Sequence, residues 1–75
     1  MTLMDVKSDI AGIVWKIEKS VGDTVSAGDE LVILESMKME IPIDARSAGR
    51  IVEILVAEGD SIAEGHVILR LETEV

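Results

Sequence analysis

Gly12-Ile13-Val14-Trp15-Lys16-Ile17 begins a stretch that closes on Gly22-Asp23-Thr24-Val25-Ser26-Ala27-Gly28. A shift of 37 positions brings Gly49-Arg50-Ile51-Val52-Glu53-Ile54, closing on Gly59-Asp60-Ser61-Ile62-Ala63-Glu64-Gly65. Both copies read Gly-x-(Val/Ile)-x-x-Ile-x-x-x-x-Gly-Asp-x-(Val/Ile)-x-x-Gly. The same shift carries Leu31 to Ile68, Leu34 to Leu71 and Glu35 to Glu72. Glycines shared in this way mark turns that need positive φ or backbones that approach closely. An internal duplication explains the pattern, with repeat halves at about 12–35 and 49–72 of a single domain spanning 1–75. Each unit holds roughly four strands and cannot bury its apolar face alone. Two units packed face to face can, which predicts an all-β sandwich or flattened barrel with pseudo-twofold symmetry.

The wider composition agrees. Ile and Val supply 19 of the 75 residues, and β-branched side chains favour strands. The apolar runs are short, with Gly or Asp every few residues, and strands are predicted near 4–7, 13–19, 24–26, 31–36, 39–43, 50–56, 61–63 and 67–72. Fifteen acidic residues against seven basic ones leave a net charge of −8. That argues against a phosphate-backbone partner, and one Trp with no Phe or Tyr supplies no base-stacking platform. With no Cys there is no disulfide or thiol nucleophile, and the lone His66 has no histidine partner for a metal site or triad. The longest aliphatic run, Leu31 to Leu34, falls far short of the ~20 residues a bilayer needs. The expectation is a soluble cytoplasmic protein without nucleic-acid or membrane partners, monomeric in isolation and drawn to partners with basic patches.

Between the two copies lies Glu35-Ser36-Met37-Lys38-Met39-Glu40-Ile41-Pro42-Ile43. Its flanks read as strands, so the chain must turn around Met37-Lys38, in a hairpin at about 36–41. Two-residue hairpin turns ask for Asn-Gly, Asp-Gly or Gly-X, because they require positive φ. Met and Lys offer neither a glycine nor an Asx side chain. Broken local rules of this kind are expected at functional or strained sites. A Met pair at i, i+2 is ordinarily two core residues of one strand, and a turn Lys is ordinarily a solvated charge. Here the pair brackets a lysine at the joint of a duplication, with acids on both sides. Such a tip holds one amine on a rigid scaffold, where a second enzyme can acylate it. An ammonium must first lose its proton, so that enzyme has to supply both the base and the activated acyl donor.

Glu35-Ser36-Met37-Lys38-Met39-Glu40 resembles the biotin-attachment motif of biotinyl carrier domains, whose core is Met-Lys-Met. With the Gly-Asp repeats, the similarity to the biotinyl/lipoyl attachment domain family runs from about Lys7 to Glu72, and it is nearest to small stand-alone attachment proteins. The resemblance implies a flattened β-barrel of two four-stranded antiparallel sheets, a barrel-sandwich hybrid. It implies that Lys38 carries biotin through an amide, loaded by a biotin protein ligase from biotinyl-adenylate. Met37 and Met39 match the methionines flanking the modified lysine; Glu35, Ser36 and Glu40 are then flanks for ligase recognition. As a carrier with no catalytic residue of its own, the chain would shuttle carboxybiotin between the biotin carboxylase and the carboxyltransferase of a biotin-dependent carboxylase. The alternatives are a lipoyl carrier of a 2-oxo acid dehydrogenase or glycine cleavage type system, with lipoate on Lys38, and an unmodified structural adaptor. Lipoyl domains usually carry Asp-Lys-Ala or similar, which the paired methionines oppose.

The departures are small. Ser36 stands where Ala is common. Pro42 lies inside a strand and must sit on an edge or point its missing N–H outward. Lys19 replaces an apolar residue and is expected at a rim. The equal spacing of the two repeats leaves no room for an extra protruding loop in the first. Trp15 is expected to fill the core or cover a sheet edge, His66 to be an exposed turn residue, and Asp23 and Asp60 to bond backbone amides in their turns.

Overall fold

The computed structural model describes residues 2–73. Eight strands follow one another: β1 Thr2–Lys7, β2 Gly12–Ile17, β3 Thr24–Val25, β4 Glu30–Ser36, β5 Met39–Asp44, β6 Gly49–Ile54, β7 Ser61–Ile62 and β8 Val67–Thr73. They form two four-stranded antiparallel sheets, ordered β1-β8-β6-β3 and β5-β4-β2-β7. Both the predicted strands and the sandwich of two sheets are present.

The shift of 37 takes every strand of one half onto a strand of the other, β1 onto β5 included, with matching bounds. Equivalent strands also occupy equivalent places in the two sheets. Each sheet mixes strands from both halves. Turns stitch them further: Gly22 N–H donates to the Ile51 carbonyl and Ile51 N–H to that of Asp23, while Gly59 N–H donates to Val14 and Val14 N–H to Asp60. Neither half can fold without the other's backbone to pair with.

The two kinds of shared glycine have separate causes. A Cβ on Gly12 would lie 2.9 Å from the Glu35 carbonyl oxygen, and one on Gly49 would lie 2.7 Å from that of Glu72. Gly22 and Gly59 instead turn at φ 97° and 94°, in open space. The turn aspartates behave as expected: Asp23 Oδ2 accepts the Ser20 amide at 2.8 Å and Asp60 Oδ2 the Ala57 amide at 2.9 Å. Asp29 repeats this bond with Ser26, whereas the exposed His66 holds the fourth such position.

The core runs between the sheets and includes Val14, Leu31, Val32, Leu34, Ile51, Ile68, Leu69 and Leu71. Leu31-Val32 and Ile68-Leu69 are neighbours in sequence, yet all four are fully buried. The pleat should send one of each pair outward. Register shifts at both places, between Glu30 and Val32 on β4 and opposite Val6 and Lys7 on β8, absorb the extra inward residue as a β-bulge. Lys19 is half-buried where its equivalent Val56 is buried, consistent with a rim position.

Candidate functional site

Strands β4 and β5 meet at the joint of the duplication. Ser36 pairs with Met39, so Met37 and Lys38 alone make the turn. Both are left-handed, at φ 51° and 64°, the only such non-glycine residues described. This is the signature of a type I′ turn, whose twist matches that of the flanking strands. A Met and a Lys held there cost of order 1–3 kcal/mol each, offset by six cross-strand pairs between β4 and β5.

The side chains at this turn face solvent. Met37 is 92% exposed and Met39 62%, so the pair is not part of the core. Lys38 is exposed, and it joins none of the ion pairs among the described residues. Glu35 and Glu40 sit directly opposite one another, one register step behind the turn, and Ser36 is half-buried beside them. The hairpin therefore brings together all six residues singled out in the sequence. Two like charges facing across strands oppose each other. An attached group would find an accessible primary amine, apolar flanks and no competing cation on the turn. These features fit a group joined by an amide.

Pro42 lies opposite Ile33 on the edge strand β5, where its missing N–H disturbs no inner ladder. Trp15 is not in the core, and it lies past the Gly12 and Ile13 pairs that β2 makes with β7. It is 47% exposed at a bulge in β2, a strand flanked by β4 and β7. Register skips it between Val14 and Lys16, which turns the ring outward, with Lys16 Nζ 5.9 Å from its centroid. The same bulge recurs in the other half, where register skips Val52 between Ile51 and Glu53.

Among known proteins, the profile of the family described as "Biotin-requiring enzyme" matches residues 2–71. The chain is 47% identical over 68 residues to the Biotin/lipoyl attachment protein of Bacillus subtilis (strain 168), covering 91% of this chain and 93% of that one. It is 45% identical over 64 residues to the Biotinylated protein TB7.3 homolog of Mycobacterium leprae (strain TN), covering 85% and 90%. The crystal structure of the Kluyveromyces lactis urea carboxylase contains a segment that superposes with a TM-score of 0.90 at 32% identity. That match covers 96% of this chain and 6% of the carboxylase.

Proposed function

The chain belongs to the biotin/lipoyl attachment family, and from that membership we infer that it is a biotin carboxyl carrier with Lys38 as its attachment residue. The observation that carries this reading is the turn itself. An exposed lysine occupies a left-handed position next to an equally left-handed Met37, where glycine or asparagine would fold more easily. The side chains at the tip are thus worth more to the molecule than an unstrained turn.

In this reading Lys38 Nζ gives its proton to a base of the biotin protein ligase and attacks the activated acyl carbon. One C–N bond forms and the bond to the leaving group breaks. Bound biotin supplies a ureido nitrogen that takes up and releases a carboxyl group. The chain does none of that chemistry. It works as the carrier subunit or domain of a biotin-dependent carboxylase, and its partners are the ligase, a biotin carboxylase and a carboxyltransferase. The hairpin fixes the tether's origin, which raises the effective concentration of the carried group at both active sites. Acylation removes one cation, so the net charge moves from −8 to about −9. A monomer in the cytoplasm completes the proposal.

Incubation with a biotin protein ligase, biotin and ATP tests it, read by intact mass. The wild-type chain gains one biotinyl mass and Lys38→Arg gains none. Labelling of the Arg variant would overturn the site. A parallel arm with a lipoate ligase addresses the second reading, which the name of the Bacillus relative keeps open. Biotin is expected to win there, because Met37 and Met39 flank the lysine.

A further inference from the structure

The outer faces of the two sheets are built on equivalent positions and differ in kind. On the β1-β8-β6 sheet, Arg70 sits between Asp5 and Glu53, with contacts of 2.9 and 3.1 Å. Arg50 reaches its cross-strand partner Glu72 at 3.6 Å. Shifted back by 37, Arg50 becomes Ile13 and Arg70 becomes Ile33; shifted forward, Asp5 becomes Pro42 and Leu3 becomes Glu40. The β5-β4-β2 sheet therefore shows solvent a row of Lys16, Ile33 and Pro42 and a row of Ile13, Glu35 and Glu40. Farther from the hairpin, Glu30 and Asp44 make a second pair of facing acids. All four acids are exposed, and none enters an ion pair among the described residues. Ile13 is 47% exposed.

We propose that this face, behind the hairpin, is the docking surface for the enzyme that acylates Lys38. The partner's surface has an apolar centre over Ile13, Ile33 and Pro42, and basic side chains over both acid pairs. The inference rests on the carrier reading and extends recognition past the residues that flank Lys38. Three observations carry it. The face loses the arginines that neutralise its twin. Its two acid pairs oppose each other across the strands, and none of the four carboxylates is ion-paired among the described residues. Its centre is apolar at Ile13, Ile33 and Pro42, with Lys16 beside Ile33. Asp44 lies four residues beyond Glu40, about 14 Å along the strand, so an enzyme holding Lys38 in its active site still reaches the far acid pair.

The test measures kcat/KM for biotinylation of the whole chain by a biotin protein ligase, at low and high salt, with each variant's unfolding midpoint as a check on folding. Ile13→Arg/Ile33→Arg copies the arrangement that the other sheet already folds with. It should lower kcat/KM about tenfold or more, chiefly through KM. Glu30→Gln/Asp44→Gln, remote from the lysine, should raise KM and flatten its salt dependence. Arg50→Gln/Arg70→Gln, on the opposite sheet, should match the parent. Parent-like kinetics for both the Ile13/Ile33 and the Glu30/Asp44 variants would overturn the proposal, as would an equal loss in the Arg50/Arg70 variant. A parent that accepts no biotin would overturn the carrier reading itself and leave this face without its occupant.

Discussion

The glycine turns and the Met37-Lys38 turn need the same half of φ space and reach it by opposite means. Gly22, Gly28, Gly59 and Gly65 turn at φ between 85° and 97°, with nothing within 4 Å of where a Cβ would stand. There the chain gives up side chains and turns without strain. At Met37 and Lys38 it keeps two long side chains at φ 51° and 64° and accepts the strain. Turns that only have to close are built from glycine, while the one turn that has something to present is not.

Substitutions can break this contrast at the scaffold end first. Gly12→Val and Gly49→Val place a Cβ against a carbonyl oxygen that belongs to the neighbouring strand and cannot step aside. Each should cost about 2–3 kcal/mol in urea unfolding, the range of an overpacked site. A loss below ~0.5 kcal/mol would show that the strands can separate there. Gly22→Val and Gly59→Val meet no clash and bear only the backbone penalty, at least ~1 kcal/mol each. Equal losses at both positions would support the duplication at the level of energy, and unequal ones would divide the halves.

The hairpin end should respond with the opposite sign. Met37→Asn puts a residue that tolerates left-handed φ at the first turn position. Its unfolding midpoint should rise by the equivalent of up to ~1 kcal/mol, while acylation of Lys38 slows. A variant that is both more stable and equally well acylated would show that Met37 has no role in recognition. The smallest effect belongs to His66→Asp. This change restores the side-chain bond that Asp23, Asp29 and Asp60 make in the three equivalent turns. It should stabilise by about 0.5 kcal/mol, the low end of the net worth of one hydrogen bond, because the turn is exposed.

Much of this was open to reading before any coordinates. The Gly-Asp pairs placed the turns, and β-branched runs between them placed the strands within a residue or two. The hairpin stood out because Met-Lys fails the chemistry its position demands. The equivalence of β1 with β5 was hidden, since Asp5 faces Pro42 and Lys7 faces Asp44 in the repeat alignment and the fold conserves only the backbone path. The paired inward residues Leu31-Val32 and Ile68-Leu69 were hidden as well. A strict alternation of faces cannot express a bulge, and it cannot foresee that Trp15 would be turned out by one. The neutral and acidic outer faces emerge only when cross-strand partners are known, because Arg70 pairs with Asp5 across a separation of 65 residues. Asp5 first, by hydrogen bond and by charge, and then Glu53, raise the Arg70 guanidinium above its already high ordinary value.

One measurement reaches the central claim most directly: peptide mapping by mass spectrometry of the chain recovered from cells that contain a biotin protein ligase. The prediction is a single biotinyl group on the peptide containing Lys38, with Lys7, Lys16 and Lys19 unmodified. Biotin on any of those three, or a chain that stays unmodified beside a fully labelled reference carrier, would contradict it.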